Sequence, residues 1–172
     1  NGLGTYNGTL EYDDAGLLSV TLTNTSPLAN GGFITGFLFN IDGDASASYN
    51  PITGDTFQGV TNEDANPFGQ FEFGAAIGGN WSGGGSPNSG IAVGDSRTFT
   101  FNVTGSDAGS LQAADFFNEL STPKNQNGQF ANFIVRFKGF ENNGSDKVPG
   151  TEGTPIPLPA AIWPCVALLG GM

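Results

Sequence analysis

The stretch Thr98-Phe-Thr-Phe-Asn-Val-Thr104 alternates apolar and polar side chains without a break. Phe99, Phe101 and Val103 fall on one side of an extended chain, and the threonines with Asn102 fall on the other. Strict alternation of this kind is typical of a strand that is buried on one face only. The stretch therefore predicts an antiparallel sheet with one side against a core and one side in water.

Five further runs show the same alternation, separated by turn-forming residues such as Asn30-Gly-Gly32. We therefore predict an all-β protein, an antiparallel β-sandwich of the jelly-roll kind with a phenylalanine-rich core. The predicted inward residues of the five runs are Tyr6, Leu10 and Tyr12; Leu18, Val20 and Leu22; Phe33, Phe37, Phe39 and Ile41; Phe71 and Phe73; and Phe133, Val135 and Phe137.

One short helix is predicted from Ser110 to Leu120. Ser110 is a suitable N-cap, and Leu111, Ala114 and Phe117 fall near helical spacing.

Composition limits both the organisation and the function of the chain. Its 172 residues suffice for one domain, and we predict a β-sandwich over residues 1–147 followed by a linker and apolar segment over residues 148–172. A net charge of −11 with only five basic residues argues against nucleic acid as a partner. Few charges and many small polar residues fit a secreted protein.

Missing residue types exclude most catalytic chemistry. The chain has no histidine and a single cysteine, Cys165, which excludes Ser-His-Asp and Cys-His catalysis and the common zinc sites. Paired carboxylates, as in glycoside hydrolases, are the catalytic alternative that remains. We therefore expect that the protein is not an enzyme.

Acidic loops raise the possibility of a structural calcium ion, because calcium prefers six to eight oxygen ligands. The candidate ligands are Asp42, Asp44, Asp55, Glu63 and Asp64. The EF-hand spacing is absent, and these residues also suit turns for backbone reasons.

Trp81 lies in a glycine-rich loop, residues 78–90, that we expect at the surface. An exposed tryptophan there is a candidate platform for stacking of sugar rings. Alternatively, the ring closes the open end of the sandwich or packs on a neighbouring subunit.

The last part of the chain differs in character from the rest. Pro155, Pro157 and Pro159 alternate with other residues, and an apolar run follows from Ala160 to Met172. Alternating prolines favour an extended, polyproline-like conformation. The apolar run is shorter than the ~20 residues of a transmembrane helix. We interpret this segment as a sorting signal or an assembly arm.

The late strand and the tail resemble exosortase-sorted surface proteins of Gram-negative bacteria, the PEP-CTERM type. The resemblance is carried by Phe133-Ile-Val-Arg-Phe-Lys-Gly-Phe140, by Gly144-Ser-Asp-Lys-Val-Pro-Gly150 and by the proline motif, which here reads Pro155-Ile-Pro. Thr21-Leu-Thr-Asn-Thr-Ser26 and Gly32-Phe-Ile-Thr-Gly-Phe37 are similar to the β-domains that often precede such signals. The resemblance implies export, processing at the cell surface and a place in biofilm or extracellular matrix.

We predict a secreted structural protein that assembles with itself into an extracellular filament or biofilm matrix through its C-terminal arm. Because prolines lack N–H donors, we expect the arm to pack by its side chains rather than by strand addition. The alternative is a monomeric, surface-anchored carbohydrate-binding module that recognises exopolysaccharide. The predicted assembly residues are Ile156, Leu158, Ile162, Trp163, Val166 and Leu168.

Overall fold

The computed structural model describes residues 2–13, 15–83, 85–122 and 128–151. These residues form two antiparallel sheets, one with the order β1-β2-β7-β4 and one with the order β5-β6-β3-β8-β9, and the predicted all-β sandwich is confirmed. The strands are β1 (Tyr6–Tyr12), β2 (Leu17–Asn24), β3 (Gly31–Phe39), β4 (Ser46–Tyr49), β5 (Phe57–Asp64), β6 (Gln70–Ile77), β7 (Ser96–Thr104), β8 (Phe133–Phe140) and β9 (Ser145–Pro149).

The four-stranded sheet follows the alternation of its sequence closely. Leu18, Val20 and Leu22 of β2 are buried, and so are Phe99 and Phe101 of β7. On the outer face, threonine and serine hydroxyls form hydrogen bonds across the β2–β7 pair. This sheet therefore has one face in the core and one in water, as its sequence predicts.

Phenylalanine rings from both sheets fill the space between them. Between the sheets, the ring of Phe37 lies with its centroid 4.8 Å from that of Phe99, and Phe39 meets Phe101 edge to face at 5.2 Å. Such pairs contribute about 0.5–1.5 kcal/mol each beyond their buried area. The aromatic core thus ties the sheets together without a disulfide in the described part of the chain.

A β-bulge in β3 corrects one predicted face. Ile34 is opposite Phe137 and Gly36 is opposite Arg136, so Thr35 is an extra residue in β3. The bulge reverses the alternation. Ile34 therefore joins Phe37 in the core, while Phe33, which was predicted to face inward, lies on the outer face.

The outer face of the five-stranded sheet is also covered, by three loops. Leu38 and Ile134 belong to a second buried cluster that Ala65, Trp81 and Ala131 complete from these loops. The sheet is therefore buried on its inner face and, around Leu38 and Ile134, on its outer face as well. Phe71 and Phe73, which were both predicted to face inward, belong to different clusters. Phe71 lies in this second cluster, whereas Phe73 packs against the main core.

The predicted helix from Ser110 to Leu120 is reduced to one turn, Asp115–Asn118, preceded by a 3-10 turn at Ala108–Ser110. Phe116 is the residue of this turn that is buried. The predicted start of the linker at Val148 falls inside β9, which continues to Pro149. Within the described ranges, no helix has the length and apolar character needed to cross a membrane.

Candidate functional site

A groove opens along one lateral edge of the sandwich. At this side β1 ends the four-stranded sheet and β9 ends the five-stranded sheet. The groove between them encloses about 600 Å³ and is lined chiefly by residues 5–10 and residues 148–151. It is therefore a gap between two edge strands, with the exit of the C-terminal segment in its wall.

The floor of the groove is apolar and partly aromatic. Val20 and Leu22 of β2 line it together with Phe117 and Phe133. The rings of Phe117 and Phe133 are stacked with centroids 6.3 Å apart, and Tyr6 lies 6.4 Å from Phe133. Such a floor favours an apolar occupant.

Hydrogen bonds hold the two walls in place. The N–H groups of Leu3 and Gly4, which precede β1, donate to Oδ2 of Asp146 in β9 at 2.9 and 3.3 Å. The Gly150 N–H donates to the carbonyl oxygen of Phe133 at 2.7 Å. Burial raises the pKa of Asp146, but the hydrogen bonds that it accepts, including those from Leu3 and Gly4, lower the pKa by more. The net pKa shift is therefore downward.

The exposed edge of β1 has a defined pattern of backbone groups. The Thr25 N–H donates to the Thr5 carbonyl at 3.0 Å. Asn24, which is opposite Tyr6, does not bond to β1 in this way: its N–H donates to the carbonyl of residue 95, and its carbonyl accepts the N–H of residue 94. Because antiparallel pairs alternate between bonded and non-bonded, the even residues Tyr6, Gly8 and Leu10 direct their N–H and carbonyl groups away from β2. These groups face the open side.

The predicted calcium ligands are not brought together. Asp55 is engaged by Tyr49 and Arg97, and Asp44 donates its N–H to the carboxylate of Asp107 at 3.0 Å. Asp64 accepts the N–H of residue 66 at 2.9 Å. Over the described ranges, no three Asp, Glu, Cys or His side chains form a group that could hold a metal ion. The set Asp42, Asp44, Asp55, Glu63 and Asp64 therefore does not form one site here.

Trp81 is not a platform for sugars, because only 1% of it is exposed. Its ring covers the outer face of the five-stranded sheet, next to Ile134 and Phe71. Arg136 donates to its carbonyl oxygen and places its guanidinium carbon 5.8 Å from the ring centroid. The sequence placed Trp81 at the surface because its neighbours are glycines, but the loop folds back over apolar side chains.

The predicted arm residues lie outside the described residues: Ile156, Leu158, Ile162, Trp163, Val166 and Leu168. No sequence pattern predicted the groove. Its only local signal is Gly8, which replaces an inward side chain between Tyr6 and Leu10. The rest of the groove depends on which two strands end the sheets, and no local pattern gives that.

Comparison with protein-family models, curated proteins and solved structures finds no match for this chain. The geometry of its own residues is therefore the basis for a functional proposal.

Proposed function

We propose that this protein is a secreted structural protein that assembles head to tail, with the C-terminal segment of one copy seated in the groove of the next. The observation that carries the proposal is the groove between β1 and β9, because residues 148–151, which directly precede that segment in the chain, line it. The groove and the segment proposed to fill it thus belong to the same chain.

The chemistry of the two parts is complementary. Residues 154–172 contain no charged side chain and are rich in proline and large apolar residues. The groove floor offers Phe117, Phe133 and two aliphatic side chains. Burial of apolar area at about 25 cal/mol per Å² supplies the driving force.

The length of the segment allows it to reach a neighbour. Its 21 residues span ~65 Å when extended, whereas residues 5–10 of the groove span about 20 Å. A segment of this length extends well beyond the groove of its own subunit, and the extended preference of the alternating prolines favours a contact with a neighbouring copy.

A contact between two different surfaces of one chain does not close on itself unless the rotation completes a ring. Repetition of such a contact gives a filament. The neutral polar composition, the net charge of −11 and the resemblance of the tail to surface-sorting signals support a place outside the cell, at the bacterial surface or in a biofilm matrix.

Removal of the segment tests the proposal. We expect the full chain to form regular, sedimentable particles at micromolar concentration and residues 1–151 to remain monomeric, by sedimentation velocity and negative-stain microscopy. The truncated protein should keep its fold, because both sheets end before residue 152. A full chain that stays monomeric would rule out this function.

A matched pair of ring truncations tests the groove. Phe117→Ala removes a stacked ring from the floor and should weaken assembly by roughly tenfold. Phe130→Ala removes a ring that is 56% exposed and lies outside the groove lining, so it should change assembly little. Equal effects of both substitutions on assembly would place the contact elsewhere.

A further inference from the structure

The spacing of prolines in the tail matches the pattern of an edge strand. Prolines occupy the odd positions 155, 157 and 159, and the even positions hold Thr154, Ile156, Leu158 and Ala160. In an extended strand, alternate residues direct their N–H and carbonyl groups to opposite edges. All N–H groups on the even edge are therefore intact, and those missing belong to the odd edge.

Strand addition needs only one such edge. Proline is tolerated in an edge strand where its nitrogen faces solvent. The alternation in this tail thus leaves one complete pairing edge, although prolines make up half of residues 154–159. Packing by side chains without strand addition, which the sequence alone favours, is the alternative to be distinguished by experiment.

The acceptor edge has the complementary pattern. On β1, the groups that face away from β2 belong to Tyr6, Gly8 and Leu10. Tyr6 and Leu10 turn their side chains toward the core. In an added strand, residues that pair with this set direct their own side chains to the same face, which is the groove side.

We propose that residues 154–160 of one copy add as a strand to β1 of the next copy, with the backbone of Ile156 and Leu158 paired to β1 and their side chains in the groove. This inference rests on the proposed head-to-tail assembly and specifies its contact. The added strand extends the four-stranded sheet by one strand.

Space inside the groove agrees with this arrangement. Gly8 carries no side chain at the centre of the even set, between Tyr6 and Leu10. A large side chain on the added strand, such as Leu158, fills the room beside it. The adjoining edge strand β9 is the poorer acceptor, because it contains Lys147 and ends at Pro149, two residues that typically protect sheet edges.

The prolines then have a second role. Once the strand is in place, Pro155, Pro157 and Pro159 face the new outer edge, where they supply no N–H groups. Strands without donors on their free edge resist further pairing. Addition therefore stops after one strand per contact, which favours a filament of defined subunits over an aggregated sheet.

Substitutions at even and odd positions of the tail separate strand addition from side-chain packing alone. In the full chain, Ile156→Ala removes an apolar side chain and keeps the N–H, and it should weaken assembly by about tenfold. Ile156→Pro also removes the N–H from the pairing edge, and it should weaken assembly by roughly a further tenfold. Pro157→Ala changes only the outer edge and should alter assembly less than about threefold.

Amide hydrogen exchange provides a second measurement on the same samples. The Gly8 and Leu10 amides should exchange at least about tenfold more slowly in assembled protein than in residues 1–151, because each gains an acceptor. The Thr9 amide, already directed toward β2, serves as the internal reference.

The outcomes distinguish this inference from the proposed function. If the wild-type chain does not assemble, both are overturned. If it assembles but Ile156→Pro equals Ile156→Ala, and Pro157→Ala is the more damaging change, the tail docks as a polyproline helix and strand addition is wrong. If the Gly8 amide already exchanges slowly in dilute, monomeric full-length chain, the tail folds back on its own β1 and the pairing between copies is wrong.

Discussion

The two lateral edges of this sandwich are built differently. At the edge formed by β4 and β5, the nearly buried Asp55 accepts hydrogen bonds from Tyr49, from Arg97 and from the Phe57 N–H. At the edge formed by β1 and β9, a groove of about 600 Å³ remains between the sheets. The closed edge thus completes its own packing, whereas the open edge leaves space for a further segment.

A largely buried ion pair lies at the centre of the closed edge. The Asp55 side chain is 3% exposed, and the Arg97 guanidinium covers the Phe57 and Phe99 rings at 4.8 and 5.1 Å. Burial, followed by the hydrogen bond to Asp55, raises the pKa of Tyr49 to about 12. The side chains of Tyr49 and Arg97 therefore depend on one carboxylate.

The largest effect is expected when that carboxylate is removed. Asp55→Ala leaves Arg97 and the Tyr49 hydroxyl without their acceptor and should lower the free energy of unfolding by about 3 kcal/mol. Asp95→Ala, at an exposed carboxylate, should change it by less than about 0.5 kcal/mol. Urea unfolding of residues 1–151 measures both. Similar small losses in the two variants would mean that the closed edge does not depend on its ion pair.

Acid should weaken both edges through their aspartates. Burial raises the pKa of Asp55, but hydrogen bonds from Tyr49, Phe57 and Arg97 outweigh it, and the net pKa shift is downward, as for Asp146 at the open edge. A lowered folded-state pKa contributes stability above the unfolded pKa of ~3.9, and this contribution is lost as pH falls through the folded value.

Urea unfolding between pH 7 and pH 2 measures this contribution. We expect Asp55→Asn and Asp146→Asn each to reduce the loss of stability in acid. If both variants lose as much stability in acid as the wild type, these carboxylates are not the acid-sensitive groups.

Sequence patterns predicted the strands that bury one face by strict alternation. They missed β5, where Phe57 and Val60 are buried three residues apart, and β9, whose most buried residue is Asp146. They also missed β4, a strand of four residues. In each case the strand is defined by its partners in the sheet, and local alternation gives too little signal.

The candidate site was less predictable than the fold, for a physical reason. A groove between edge strands arises from the order of strands in two sheets, so residues 5–10 and 148–151 meet only after the whole chain has folded. The tail could be singled out by composition, but its acceptor could not. Trp81 illustrates the converse, because glycine neighbours predict exposure and tertiary packing buries the ring.

The smallest expected effect comes from substitution of two glycines, one at the closed edge and one at the open edge. A Cβ on Gly59 of β5 would lie 3.0 Å from Cβ of Tyr49, an atom fixed by its own backbone. A Cβ on Gly8 of β1 would lie at the same distance from Cδ2 of Leu22, the end of a flexible side chain that borders the groove, and 3.3 Å from the Thr21 carbonyl.

Because Cδ2 of Leu22 is the end of a flexible side chain and Cβ of Tyr49 is fixed to its backbone, we expect Gly59→Ala to cost about 1 kcal/mol of unfolding free energy. Gly8→Ala should change it by less than about 0.5 kcal/mol, since the loss of freedom in the unfolded chain offsets the tighter contact. Urea unfolding of residues 1–151 gives both values under one set of conditions. A Gly8→Ala cost equal to that of Gly59→Ala would mean that the open edge is as tightly packed as the closed one, and that its groove has no room for the side chain of an added strand.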